Sequence, residues 1–182
     1  TISREMNIEL HDGVIACYAL GELPQHERMP SIAALWSLAK KMLVVVEPGT
    51  PDGFENILRV RQHVLASGGH SAAPCTHDAA CPMSRADWCH RPVRLARSTM
   101  HREAKRADLS YEDEKFAYIV ATRLPPQHRA PARIVRKPIR NAGHLHLDGC
   151  EADGIKRRTI SRSDGPLYRA ARDASWGDLW PP

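Results

Sequence analysis

The chain has 182 residues, 42% of them hydrophobic and 26% charged, enough for one domain of ordinary size and an appendage. No apolar run approaches the roughly 20 residues a membrane helix needs, and the patterned apolar positions exclude a wholly disordered chain. Charge is uneven: residues 1–89 hold 7 basic and 10 acidic groups, residues 90–182 hold 19 and 11, so the halves carry −3 and +8.

In chain order, Asp12 leads a short apolar run through 13–20 that reads as a buried strand. Over 29–42, Met29, Ile32, Trp36 and Ala39 mark one helical face, with Lys40 and Lys41 expected in the last turn, where cations suit the helix dipole. The unbroken run at 42–46 predicts a strand covered on both faces. Thr50 and Pro51 supply an N-cap and first helical position. Phe54, Ile57, Leu58, Arg61, Val64 and Leu65 then keep helical period until Gly68 and Gly69 stop it. Strand, helix, strand, helix over 12–69 predicts an α/β fold with a doubly wound parallel sheet. Ligands of such sheets sit beyond the carboxyl ends of the strands, which here places candidate cofactor contacts at Ala16, Cys17, Tyr18 and Glu47. A simple turn shaped by Pro48 and Gly49 is the plainer reading, and the chain contains neither a G-x-G-x-x-G string nor a P-loop.

Residues 71–74 read as a short strand, and Arg94, Arg97, Arg102, Lys105 and Arg106 as one basic helical stretch that Ser98 or Thr99 could cap. Residues 111–114 read as an acidic turn or helix start before a strand over 115–122, with Glu112, Asp113 and Glu114 solvated or partnered by nearby arginines. No pair of carboxylates is assigned a catalytic role. Strands are expected over 132–140, 143–147 and 155–160, with a hairpin at Asp153-Gly154. Cys150 is expected between the last two, and a helix opens near Pro166. Residues 122–141 hold six basic groups and no acid. A one-signed basic surface attracts polyanions, RNA or DNA being the usual ones, although a solvated face is the common fate of a charge run. The residues expected to meet such a partner are Arg94, Arg97, Arg133, Arg136, Lys137 and Arg140.

Of five cysteines, Cys75, Cys81 and Cys89 crowd into fifteen residues, and Cys150 follows far downstream. Disulfides suit neither the odd count nor the α/β pattern. Structural zinc lacks its usual C-x2–4-C knuckle, though His77 and His90 could serve as ligands. An iron–sulfur cluster tolerates wider spacing, since its irons are spread and its four corners want four thiolates. Cys17, closing an apolar strand, fits an ordinary small buried residue. Spacing favours a metal on the other four and leaves cluster and zinc open.

Five strings carry a resemblance: Leu-Gly-Glu-Leu-Pro at 20–24, Val-Val-Glu-Pro-Gly-Thr-Pro-Asp-Gly-Phe at 45–54, Ala-Pro-Cys-Thr-His-Asp-Ala-Ala-Cys-Pro at 73–82, Asp-Trp-Cys-His at 87–90 and Tyr-Glu-Asp-Glu-Lys-Phe-Ala-Tyr at 111–118. In order and over residues 12–178 they resemble the methyltransferase-like protein 17 family, small-subunit ribosome assembly factors of mitochondria with bacterial relatives. The resemblance implies a class I methyltransferase-like (Rossmann-type) sheet, a [4Fe–4S] cluster on Cys75, Cys81, Cys89 and Cys150, and binding to the small ribosomal subunit and its rRNA. It further implies a partial methyltransferase-like domain over 1–125 with its metal loop at 74–91, and a β-rich appendage with a terminal helix over 126–182. The chain differs in having Arg91 where relatives carry an aromatic, and it begins past the first strand and its glycine-rich cofactor turn. An N-terminally truncated chain is therefore expected, inactive as a methyltransferase, with S-adenosylmethionine bound only by a full-length protein. The competing functions are an S-adenosylmethionine-dependent rRNA methyltransferase and a zinc-stabilised RNA-binding module. The expected setting is bacterial cytoplasm, with the mitochondrial matrix as the alternative, away from membranes. The sequence leaves the oligomeric state undetermined.

Overall fold

The computed structural model describes residues 9–83 and 86–182; Ser84 and Arg85 of the expected metal loop lie outside them. The chain runs β1 (His11–Cys17), α1 (Gln25–Leu38), β2 (Ala39–Pro48), α2 (Pro51–Ala66), β3 (His70–Ala73), β4 (Arg91–Ala96), α3 (Thr99–Lys105) and β5 (Tyr111–Thr122). It continues with β6 (Ala132–Ile134), β7 (Ile139–Asn141), β8 (His144–Glu151), β9 (Gly154–Ser161), a 3-10 turn, α4 (Pro166–Asp173) and β10 (Leu179–Trp180). The fold is mixed α/β, with two five-stranded sheets and four α-helices among the described residues.

The first sheet has the order β1-β2-β5-β3, with β4 also on β5. β1 and β2 are parallel and joined through α1, as the alternation predicted. The sheet as a whole is mixed, because β5 runs antiparallel between β2 and β3. β2 is not covered on both faces as its unbroken run predicted: Leu43 and Val45 are buried against Ile32, Trp36, Phe54, Ile57, Val60 and Val64 of α1 and α2, while Val44 and Val46 on the opposite face are only half-buried and Met42 is exposed. Helix α1 ends at Leu38, so Lys40 and Lys41 lie in β2, not in a last helical turn. Pairing with β1 and β5 begins there and overrides the helical periodicity. The dipole end they were expected to occupy belongs to Arg123, which donates to the carbonyls of Trp36 (2.6 Å) and Ala39 (3.0 Å) and stacks 3.7 Å over the Trp36 ring.

Two further expectations are corrected. The basic stretch after Cys89 is not one helix: Arg94 lies in β4, Arg97 follows that strand, and only Thr99–Lys105 is helical, capped by Ser98. The acidic string 111–114 is neither turn nor helix but the first half of β5, zipped along β4 from Arg91↔Phe116 to Ala96↔Tyr111. Cross-strand charge pairing explains it. Arg94 grips Asp113 through two bonds of 2.7 and 2.9 Å, and Arg97 and Lys105 converge on Glu112.

The second sheet has the order β10-β6-β8-β7, with β9 on β8, over a core of Ala132, Ile134, Leu145, Leu147, Ile160, Ala171, Ala174 and Trp180. The single strand expected over 132–140 breaks into β6 and β7 because Pro138 has no N–H for a ladder. The β8–β9 hairpin turns before Gly154, as predicted, and Gly154 takes φ 145°. Cys150 is inside β8, not in the turn after it.

The turn from β2 into α2 is packed at backbone distance. A β-carbon on Gly49 would stand 2.6 Å from the Lys115 carbonyl carbon, and one on Gly53 2.0 Å from the Pro48 oxygen. Thr50 accepts a capping bond from Gly53 N at 3.1 Å. Gly49→Ala is expected to lower stability by about 1–3 kcal/mol, the usual cost of overpacking, measured by urea denaturation.

Candidate metal centre

The segment between β3 and β4 carries three of the thiols, and its own side chains fix its path. Asp78 accepts from Ser71 N at 2.9 Å and from Arg129 at 2.7 Å, and its second oxygen also pairs with His70 Nδ1 at 2.9 Å. Arg61 of α2 is only 4% exposed and donates one Nη to two loop carbonyls, His77 O at 3.0 Å and Ala79 O at 2.6 Å. Trp88 Nε1 donates to Gly49 O at 2.8 Å, locking the far end of the loop to the turn after β2. His90 packs between Trp88 and Trp176. Arg91 lies against Gly177 and donates to Trp176 O at 3.0 Å.

The fourth thiol arrives from the second sheet by strand alternation. Leu145 and Leu147 of β8 enter the second core, so Cys150 faces the other way, and its neighbour Arg133 does the same between Ala132 and Ile134 of β6. Cys75, Cys81, Cys89 and Cys150 thus line one cavity of about 40 Å3, walled by Phe54, Ile57, Ile119 and Val135 and by the polar side chains of Arg61 and His77. Cys17 stands apart, exposed at the end of β1.

The electrostatics of the cavity are those of crowded thiols. Burial and the neighbouring thiols push Cys89 and Cys150 up to about 12 and raise Cys81. The donor side is undersupplied with acceptors: Arg61 Nε and His77 Nδ1 are buried without a hydrogen-bond partner. His77 Nε2 lies 3.8 Å from the Cys150 sulfur. Burial and the Arg61 charge hold the His77 imidazole below its ordinary value. Among the described residues no group of three or more Cys, His, Asp or Glu side chains is arranged to hold a metal ion as it stands. The cavity fits a polyanionic thiolate centre on two grounds: its four sulfur donors, and the buried, unpartnered Nε–H of Arg61 in its lining.

A family model described as "Mitochondrial small ribosomal subunit Rsm22" matches residues 1–181. The chain belongs to the Rsm22 family. It is 30% identical to the human mitochondrial ribosome assembly protein METTL17 over 190 residues, covering 93% of this chain and 39% of that protein. It is 31% identical to the Rsm22-cox11 tandem protein 2 of Schizosaccharomyces pombe, also mitochondrial, over 92% of this chain and 29% of that one. The chain therefore spans well under half of either relative.

In this Rsm22-family chain the strings that carried the resemblance are physically joined. Glu47 is 1% exposed, and its carboxylate accepts from Leu20 N (3.1 Å), Gly21 N (3.0 Å) and Asn56 Nδ2 (3.0 Å). Arg28 closes that network on Asn56, Leu23 O and Gly21 O. Glu47 thus ties the Leu-Gly-Glu-Leu string to the Glu-Pro-Gly-Thr-Pro turn, and Gly49 ties that turn to Trp88 beside Cys89. Ala16, Cys17, Tyr18 and Glu47 do lie together at the strand ends, with Cys17 in register with Val46 and Tyr18 N bonded to Val46 O at 2.8 Å. Both oxygens of Glu47 are committed to the protein's own amides.

The residues named for a polyanion are scattered and mostly engaged. Arg94 and Arg97 pair across the sheet with Asp113 and Glu112. Arg133 donates to Pro74 O and Gly177 O, and Arg136 pairs with Asp87. Arg140 donates to Arg172 O (3.1 Å) and Ala174 O (2.9 Å), while Lys137 is exposed. Sequence reasoning missed Arg61, Asp78, Arg129 and the inward role of Arg133. The signals existed: an arginine on the apolar face of α2, and an arginine alternating with Ala132 and Ile134.

Two outcomes follow. Glu47→Gln places an amide N–H against one of the backbone donors and is expected to cost about 1–3 kcal/mol in urea denaturation. Burial opposes ionisation of Asp78, but its bonds to His70, Ser71 N and Arg129 outweigh this and hold the carboxyl below its ordinary value. Its stabilising contribution is therefore complete above the usual carboxylate range and is lost as pH falls through the lowered value. The stability gap between wild type and Asp78→Asn should be widest near neutrality and close progressively in acid.

Proposed function

We propose that this chain is part of a small ribosomal subunit assembly factor that binds the subunit's RNA. In this reading Cys75, Cys81, Cys89 and Cys150 hold a [4Fe–4S] cluster that fastens the second sheet to the first. The observation that carries the proposal is the convergence of those four thiols, three from one loop and one from β8, on a single cavity in a chain of the Rsm22 family. Four thiolates match the four corners of such a cluster, and the buried, unpartnered Nε–H of Arg61 suits its negative charge. The named assembly role of the human relative supports the ribosomal setting. The order β1-β2-β5-β3 is compatible with a methyltransferase-like fold, and we read residues 1–125 as part of one, with 126–182 as the appendage.

Metal binding here acts through folding. The thiols would give up their protons on binding, and the free energy of metal binding, net of that cost, would become stability of the joined sheets. When bound, the cluster supplies one-electron chemistry and sensitivity to oxidants. The chain's own residues orient the thiolates, through Arg61 on the loop carbonyls and Trp88 on Gly49, and exclude water with Phe54, Ile57 and Ile119. RNA would meet the basic side chains left exposed, with Lys137 and Arg140 as phosphate contacts. We place this work where the subunit is assembled, the bacterial cytosol or, as for the relatives named above, mitochondria.

A zinc ion held by thiolates and His77 is the second reading, favoured by the 3.8 Å approach of His77 Nε2 to the Cys150 sulfur.

Anaerobic reconstitution followed by metal and sulfide analysis decides between them. Iron and sulfide in equal amounts, lost in Cys150→Ser, are the expected result; zinc without sulfide overturns the cluster. Lys137→Glu with Arg140→Glu should weaken binding to small-subunit rRNA and flatten its salt dependence, followed by filter binding across a salt series. Unchanged affinity removes this face from the RNA interface.

A further inference from the structure

Arg61 is the one arginine buried among the described residues, and its charge has no carboxylate partner there. The other arginines around the loop differ. Arg129 has Asp78, Arg136 has Asp87, and Arg133 spends its N–H groups on the carbonyls of Pro74 and Gly177. Arg61 uses a single Nη on the carbonyls of His77 and Ala79 and leaves Nε–H buried and unused, on a wall shared with Phe54, Ile57 and Leu58. An uncompensated guanidinium among apolar side chains is costly, and the cost is relieved only by negative charge in the same space. The thiols of the cavity are where such charge can sit. Arg61 shares the lining of that cavity with Cys75, Cys81 and Cys89 of the loop and Cys150 of β8.

We propose that Arg61 sets the charge balance of the four-thiolate centre, its buried guanidinium stabilising the more negative, reduced state of the bound cluster. The inference rests on the cluster reading above and adds to it a residue that tunes the centre's potential. Reduction by an external one-electron donor, which is itself oxidised, adds one negative charge to the centre without breaking a bond in the protein. A fixed cation beside the sulfurs lowers the energy of that added charge, as groups around a metal's ligands generally do. A purely structural Arg61 would only hold two carbonyls in place.

The test is a mediator-coupled redox titration of the anaerobically reconstituted full chain, reduced with dithionite and followed by visible absorbance and electron paramagnetic resonance. Wild type is compared with Arg61→Gln and Arg61→Lys, and iron and sulfide are counted in each. Arg61→Gln is expected to keep its iron and sulfide and to shift the midpoint potential to more negative values. Arg61→Lys, which keeps the charge but not the planar fork, is expected to titrate close to wild type. The proposal is overturned if Arg61→Gln and wild type titrate together, or if both variants are displaced alike. Should Arg61→Gln fail to fold by circular dichroism, Arg61→Lys decides: a potential near wild type supports the charge role, and a displaced potential or lost cluster overturns it. Wild type that gathers no iron and sulfide would overturn the cluster reading itself, a result separable from an Arg61 variant that matches a loaded wild type.

Discussion

A strand must send successive side chains to opposite faces, and in β8 and β6 that requirement places the fourth thiol of the cavity. Leu145 and Leu147 are committed to the second core, as are Ala132 and Ile134. Cys150 and Arg133, in register with one another, are left facing the first sheet. The cavity therefore exists only when both cores are formed. A register slip by one residue in either strand would bury the arginine, expose a leucine and carry the fourth sulfur away from the other three.

The junction between the sheets is polar. It is made by arginines reaching from one side to the loop of the other: Arg129 to Asp78, Arg133 to Pro74 O, Arg136 to Asp87, and in the reverse direction Arg91 to Trp176 O. Guanidinium groups suit this work because a planar fork satisfies carboxylates and carbonyls at defined angles. Such contacts specify an arrangement better than they stabilise it, since desolvation offsets much of their attraction. A metal centre at the same junction would supply the stability that the polar contacts lack. Part of the charge of the basic second half is thus turned inward.

The Glu-Pro-Gly-Thr-Pro turn has a similar double character. It lies at the carboxyl end of β2, where α/β sheets place their ligands. Glu47 there is filled by the amides of Leu20 and Gly21, and Gly49 is pressed against β5 while its carbonyl holds Trp88. The polar groups at this strand end are thus spent on the protein's own backbone and on anchoring the loop. The turn transmits the position of β2 to the cysteine loop.

Local pattern determined the succession β1, α1, β2, α2 in the first half, but not the antiparallel insertion of β5 that makes its sheet mixed. The unbroken run of β2, the Thr50 cap and the period of α2 are short-range requirements of hydrogen bonding and burial, legible residue by residue. The crowding of Cys75, Cys81 and Cys89 was legible too, because thiols so close in sequence have few ordinary uses. Partners distant in the chain were not legible. A run of six basic residues without an acid reads as a phosphate-binding face until the acids that neutralise it are brought in from 78 and 87. The acidic string at 111–114 reads as a turn until β4 is laid beside it. Whether a charge meets solvent or a carbonyl depends on long-range pairing, which strand neighbours and loop closure decide and local sequence does not encode. Tertiary structure alone therefore decided that Cys150 faces the loop cysteines and that Arg61 stands among them with an unspent N–H.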